Sequence, residues 1–484
     1  MADVPDSGCT LIITEGTSAK EFALKGLSVL GNEKYGVYAI EGVLQNIIRT
    51  PNKISAEVQD IFSALGLELR NVPRRHFRKD FGPGYICKDI KTLRYRHVMI
   101  MTDQDVDGAH IKGLLINMFY CLCPTLLKVP LFLQDFTTDI VRATHIQTGQ
   151  IKGFKLLSDY TAWQSKVIPA EWTIEYFKGL GTSIRLAIEY FKNKEEHTRC
   201  FIWNDIDANY LDKVFNPKRA DERKIWICQH QITTVSPYSS RVVTYGEFIK
   251  KELMLYAFED IRRKLPSVVD GLKVSQRKVV HYMLDMPKDG LKSARHKISQ
   301  LVGAISQHSN YRHAEENFEG VIKAMAAAGK NNIDLLEPHE GSRKISSKYI
   351  TMSPVMTHIA QFIFRKEDIH LLDYISDGGT LVEPECYVPV VPLALINSCE
   401  GFAIGFSAML PNYHPKDVID NVRRLLDGEE TVKMVPWYKN LTVTEEKGRY
   451  YAEASWSVQH QKVVTINYLL PGVHYQDYAN FLTT

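Results

Sequence analysis

The feature that most restricts this 484-residue chain is a short apolar run ending in a regularly spaced acidic turn. His97-Val98-Met99-Ile100-Met101 leads into Thr102-Asp103-Gln104-Asp105-Val106-Asp107-Gly108. Five apolar residues bounded by turn formers read as a buried strand, and the periodic stretch from Ala109 to Tyr120 reads as the helix that follows it. The chain opens the same way: an apolar run from Cys9 to Ile13, the turn Glu15-Gly16-Thr17-Ser18, then a helix-prone stretch from Ala19 to Leu30. Strand, tight turn and helix, met twice, predict a parallel α/β sheet whose ligands sit where strand carboxyl ends meet helix starts.

Asp103, Asp105 and Asp107 alternate along the turn, so two or three of their carboxylates can face one point, as a hard divalent cation such as Mg²⁺ requires. An EF-hand is the competing reading. It fails on its twelfth position, Leu114 where a bidentate Glu belongs, and on the strand that precedes the loop. Helix capping explains one Asp at such a turn but strains for three. Glu15 ends the equivalent strand of the first unit. Neighbouring strand ends of one sheet lie side by side, so Glu15 and the Asp cluster are candidates for one shared metal site; alone, Glu15 reads as a surface turn residue.

Composition bounds the rest. With 45% hydrophobic and 24% charged residues the chain is globular, and a net charge of +3 requires any nucleic-acid surface to come from local clustering. The eight cysteines form no CxxC pair, which fits free thiols and excludes a structural zinc framework. No apolar stretch reaches the ~18 residues of a membrane span. Residues 137–240 read as mixed α/β. From Thr244 to Phe364 the pattern is helical and locally basic, and beyond Gly379 it turns to Val, Pro, Tyr and strand-like alternation.

Within the basic segment, Leu272, Val279 and Met283 form an apolar stripe on a helix from which Lys273 and Arg277 are expected to point away, toward phosphates. A solvated basic face is the bland alternative. Tyr349, one of 24 tyrosines, is on composition alone a packed or rim residue.

Taken in series, EGTSAK (Glu15 to Lys20), MTDQDVDGAHIKGLL (Met101 to Leu115), YFKGLGTS (Tyr176 to Ser183), PSVVDGLKVSQRKVV (Pro266 to Val280), KNNIDLLEP (Lys330 to Pro338), KYITMSP (Lys348 to Pro354) and VEPECYVPVVPLALIN (Val382 to Asn397) resemble the type IIA DNA topoisomerases of the eukaryotic kind. The resemblance implies a multidomain α/β and α+β fold: a Rossmann-like toprim domain over 1–136, its extension and connector over 137–243, a winged-helix domain over 244–385 and an incomplete α/β tower over 386–484. It implies that Tyr349 cleaves DNA through a 5′-phosphotyrosine link. Lys348, His313 and Arg277 would assist it, and Glu15, Asp103, Asp105 and Asp107 would hold Mg²⁺, with Mn²⁺ or Ca²⁺ as substitutes. Lys178, Lys273, Arg277 and Lys278 would meet duplex DNA, and Phe402 would stand where the family wedges a base step open.

The same resemblance implies a homodimer, no membrane association, and duplex passage driven by ATP bound to an amino-terminal domain of which this chain shows no trace. The chain reads as a central fragment. It departs from the family at Lys348, where Arg is usual, in a shorter interval from Arg343 to Tyr349, at Glu41-Gly42-Val43 in place of Arg-Gly-Lys, and at Phe402 in place of Ile. Lys348 keeps the charge but loses the bidentate fork. The Glu41 to Val43 change predicts altered sensitivity to drugs that wedge at the break. These departures suggest a divergent member such as a large DNA virus encodes, located in the host cytoplasm if viral and in the nucleus if cellular. Two other classes remain open: a toprim-type metal-dependent nuclease, and a non-catalytic DNA-binding scaffold.

Overall fold

The computed structural model describes residues 8–50, 53–72, 84–87, 92–177, 184–230, 240–285, 295–311, 315–327, 330–337, 351–352, 355–377, 380–459, 463–470, 473 and 475–483. The chain divides into two compact units, Met1–Glu259 and Asp260–Thr484.

The first unit is built on β1 (Thr10–Glu15), β2 (Tyr35–Ile40), the hairpin of β3 (Leu69–Val72) and β4 (Gly84–Cys87), β5 (His97–Met101) and β6 (Leu133–Phe136). A three-stranded sheet follows, of β7 (Val141–His145), β8 (Ile151–Phe154) and β9 (Trp172–Tyr176), and then β10 (Thr198–Ile202) and β11 (Val242–Thr244). The central sheet runs β11-β10-β6-β5-β1-β2. Pairing is parallel except between β10 and β6. Helix α1 (Gly16–Leu30) starts directly after β1, α2 (Ala56–Ala64) follows β2, and α3 (Val106–Leu122) starts five residues after β5.

Alternation along β1 and β5 sends Ile12, Met99 and Met101 into one cluster with Ala19, Phe22 and Leu27 of α1 and with Phe191. Leu11, Ile13, Val98 and Ile100, on the other face, are equally buried. A sheet buried on both faces explains why these strands read as continuous apolar runs.

Four charged side chains sit inside this unit. Lys112 of α3 lies 2.9 Å from Asp135 of β6, Arg199 of β10 lies 2.6 Å from Asp135 and 2.9 Å from Glu252, and all four are buried. Burial alone would push the Asp135 carboxyl up, but Lys112 and Arg199 outweigh it and hold its pKa below the usual carboxylate range. The quartet joins α3, two strands and the turn of π-helix at Ile249–Leu253.

The second unit packs helices Val274–Asp285, Ile298–His308 and Glu315–Met325 around Leu272, Val279, Val280, Leu301, Ile305, Phe318 and Ile322. Its short strands are β12 (His296–Lys297) with β13 (Thr351–Met352), then β14 (Tyr374–Asp377) with β15 (Thr380–Pro384). Three hairpins follow: β16 (Cys399–Ala403) with β17 (Phe406–Leu410), β18 (Thr442–Glu446) with β19 (Arg449–Glu453), and β20 (Ser455–Gln459) with β21 (Val463–Tyr468).

Asparagines stand in for missing backbone partners here. Asn397 accepts from the Ile333 amide at 2.9 Å and donates to the Ile333 carbonyl at 2.7 Å, while Asn412 accepts from Ser398 N at 2.6 Å and donates to the Lys330 carbonyl at 3.2 Å. These bonds tie the KNNID segment to the β16–β17 hairpin. No helix among the described residues is long and apolar enough to cross a membrane, and all seven described cysteines are free.

Removing one member of a buried ion cluster strands the others. Lys112→Met is expected to cost about 3–5 kcal/mol in urea unfolding. A loss under about 1 kcal/mol would mean that the quartet is solvated rather than sealed.

Candidate functional site

Parallel pairing in the register Thr14↔Met101 carries the ends of β1 and β5 to the same edge of the sheet. There the Asp103 amide donates to Glu15 Oε2 at 3.2 Å, so the carboxylate of the first strand-turn-helix unit is seated on the acidic turn of the second. Asp105 occupies the N-cap of α3, its Oδ1 accepting from Gly108 N at 2.8 Å. The glycine is sterically required: a Cβ at residue 108 would lie 2.0 Å from the Asp103 carbonyl oxygen. The turn folds back on itself that closely, which is how three alternating carboxylates come to crowd one strand end.

Glu15 reports the crowding. Burial raises its pKa to about 7, with Asp103, Asp105 and Asp107 adding to the rise and the Asp103 amide opposing it. A divalent cation among these groups would relieve the like-charge repulsion, so the donor set suits a hard ion such as Mg²⁺. Among the described residues, however, no three His, Cys, Asp or Glu side chains are gathered closely enough to hold a metal as they stand. Asp105 spends an oxygen on its helix cap and Glu15 one on the Asp103 amide, so rotamer changes would have to accompany an ion.

The basic helix differs from its sequence reading. Leu272, Val279 and Met283 are buried as the stripe predicts, but Arg277 does not point away with Lys273. Its guanidinium is buried, donating from Nε to Asp270 Oδ2 at 2.7 Å and from Nη2 to Asp270 Oδ1 at 3.0 Å and the Leu272 carbonyl at 3.0 Å. Asp270 also accepts from the amides of Leu272 and Tyr387, at 2.9 and 3.0 Å. The expectation that Arg277 contacts DNA or the reacting atoms is corrected: it locks the turn before the helix.

Lys278 is likewise drawn inward, 2.6 Å from Glu383 and 2.8 Å from the Ser309 carbonyl. Lys273 remains half-buried at the rim of a cavity of about 330 Å³ that Gln276, Lys330, Cys399 and Glu400 also line. Burial lowers its pKa, Glu400 opposes this, and Lys330 adds to it.

Phe402 is 61% exposed on β16, which removes the alternative of a core phenylalanine. Glu41, Gly42 and Val43 are exposed. Tyr349, Lys348, His313 and Lys178 lie outside the described residues. Sequence reading missed Asp270 as a hub. Its signal was the Asp at i and Arg at i+7 across a turn into a helix, a spacing that also suits two solvated charges.

Three family models match in chain order: "Toprim domain" over residues 10–132, "C-terminal associated domain of TOPRIM" over 136–261, and "DNA gyrase/topoisomerase IV" over 263–481. The chain belongs to the type II DNA topoisomerases. It is 37% identical to DNA topoisomerase 2 of Pisum sativum, with 98% of this chain and 31% of the relative aligned. The Plasmodium falciparum enzyme is 38% identical, over 96% of this chain and 33% of the relative. The chain thus spans about a third of the length of these curated relatives.

A crystal structure titled as the Plasmodium falciparum topoisomerase II DNA-binding, cleavage and re-ligation domain superposes with a TM-score of 0.79 at 36% identity, covering 99% of this chain and 65% of that one. The match therefore falls on the family's DNA-binding and cleavage region. The family binds Mg²⁺ through its toprim domain. A viral source gains no support from these relatives.

Behind the basic helix, His281 shares its surroundings with His308, whose ring centroid is 5.2 Å away, and its Nδ1 lies 3.1 Å from the Tyr387 hydroxyl. Burial first, then His308 and Lys278, push its pKa from 6.5 to about 4, with Asp285 opposing. A base with a depressed pKa takes up its proton more readily when unfolded, so stability falls as pH is lowered from about 6.5 to about 4. His281→Gln is expected to flatten that part of a stability-against-pH curve measured by urea unfolding. An unchanged slope would mean that His281 does not carry it.

Proposed function

We propose that this chain binds duplex DNA and cleaves it by transesterification, with Tyr349 as the nucleophile. The observation that carries the reading is the Glu15 carboxylate resting on the Asp103 amide at adjacent strand ends, in a chain of this family. The Tyr349 phenol oxygen attacks phosphorus, the 3′ oxygen departs with a proton, and the 5′ phosphate remains as a phosphotyrosine ester. Because one phosphate ester replaces another, the bond energy is retained for religation. A tyrosine of ordinary pKa ~10 needs help at neutral pH; Lys348 and His313, neighbours in sequence motifs rather than in described geometry, are assigned to stabilising the phenolate and the charge on phosphorus.

Glu15, Asp103 and Asp105, with Asp107 beside them, are the residues assigned to Mg²⁺, which supplies charge stabilisation at the leaving oxygen and anchors the phosphate. Lys273 and Lys178 are assigned to the DNA backbone, and Phe402, exposed on its hairpin, to prying a base step apart. Passage of one duplex through another, the homodimer that would place two breaks together, and ATP as its driver belong to the longer parent that the relatives' length implies. A nuclear site of action follows if the source resembles these cellular relatives.

The test uses end-labelled duplex, Mg²⁺ or Mn²⁺, and a denaturant trap. The parent chain is expected to form a covalent protein-DNA adduct that Tyr349→Phe abolishes and Glu15→Gln lowers about a hundredfold, ~2.7 kcal/mol of barrier. Metal-dependent cutting that persists in Tyr349→Phe without adduct would replace this reading with a nuclease.

A further inference from the structure

The β16–β17 hairpin presents more than one apolar side chain outward. Directly paired residues of antiparallel strands share a face, and Phe402 pairs with Ser407 while Glu400 pairs with Met409. Glu400, Phe402, Ser407 and Met409 therefore stand on one side of the ribbon. Phe402 is 61% exposed and Met409 71%, lying diagonally across the two strands. An unbranched thioether left that far in water beside an exposed aromatic is a feature that the hairpin's own packing does not require.

The opposite side is clamped. Cys399, Gly401 and Ala403 face inward, and a Cβ on Gly401 would lie 2.4 Å from the Lys264 carbonyl oxygen, 2.9 Å from Pro266 Cδ and 3.0 Å from Leu265 Cα. The ribbon is thus pressed against main chain with no room for a methyl group. At its tip, Ile404 and Gly405 form a two-residue turn with φ of 35° and 88°, the left-handed geometry that tight hairpins demand and that a β-branched residue adopts under strain. A strand pair so fixed can transmit force through its outward side chains. At its base, Glu400 shares a cavity lining with Lys273 and Lys330, cations able to hold a phosphate backbone beside the ribbon.

We propose that Met409 is a second wedge residue, entering the minor groove of duplex DNA together with Phe402 so that the two side chains unstack and bend the duplex as a pair. The inference rests on the DNA-binding reading above and deepens it. Apolar wedges of this kind gain contact area against an unstacking cost of a few kcal/mol per step. A wider wedge favours duplexes whose local sequence is easily unstacked, so pyrimidine–purine steps such as TA and CA are the substrates this face selects.

The test measures end-to-end energy transfer on a doubly labelled duplex bound to the full chain, with the intact duplex compared with one gapped at the wedged step and already unstacked. Met409→Ser is expected to lower the bent-to-straight ratio on intact DNA about tenfold, ~1.4 kcal/mol, while affinity for the gapped duplex changes less than about twofold. Met409→Leu is expected to bend like the parent, and Phe402→Ala to lose most of the bend. Because Met409 is largely exposed, the serine variant should fold, which its melting curve checks. Bending by Met409→Ser equal to the parent's would overturn the inference and leave Phe402 as the sole wedge. Equal losses on intact and gapped duplex would also overturn it, since a wedge has nothing to do at a step already open. If the parent chain binds no duplex, the proposed function itself fails, and the adduct assay reports that separately.

Discussion

The parallel pairing of Thr10–Glu15 with His97–Met101 is the constraint on which the candidate site depends. More than eighty residues of chain separate Glu15 from Asp103, and only the strand register brings the carboxylate of one to the amide of the other. A slip of one residue would send Ile12, Met99 and Met101 out of the α1 cluster and turn Glu15 to the wrong face. The apolar alternation that buries both faces of the sheet thus also aims the acidic groups. Core packing and site geometry are set by the same hydrogen-bonded ladder.

Buried polar groups then fix what apolar packing leaves loose. The Lys112, Asp135, Arg199 and Glu252 quartet joins the helix that carries the acidic turn to two strands and to the turn at Ile249–Leu253. In the second unit Asp270 accepts from two amides and a bidentate arginine, satisfying its oxygens and fixing the entry to the basic helix. Asn397 and Asn412 serve the segment that leads into the β16–β17 hairpin. Each hub has its partners supplied by distant parts of the chain, which makes the local geometry a property of the whole unit.

Much of this was legible in the sequence where the signal is local. The strand at His97–Met101, the helices after both turns, the closeness of Glu15 to the acidic turn and the Leu272, Val279, Met283 stripe all follow from periodicity and turn chemistry. What failed was the direction of individual cations. Helical spacing places Arg277 and Lys278 away from the stripe, yet each is pulled inward by an acid that periodicity cannot locate, Asp270 across a turn and Glu383 more than a hundred residues on. A charge on a helix face reads the same whether it meets solvent, phosphate or a buried carboxylate. The antiparallel insertion of β10 beside β6 and the outward pairing of Phe402 with Met409 are likewise set by long-range register.

Iron-mediated self-cleavage would test most directly whether the two strand ends form one cation site. Fe²⁺ in place of Mg²⁺, with ascorbate and peroxide, releases hydroxyl radicals that cut the polypeptide within reach of the bound ion. The account predicts two sets of breaks, one near Glu15 and one within Asp103 to Asp107, both suppressed by excess Mg²⁺. Breaks confined to the acidic turn, or at neither place, would contradict a shared site.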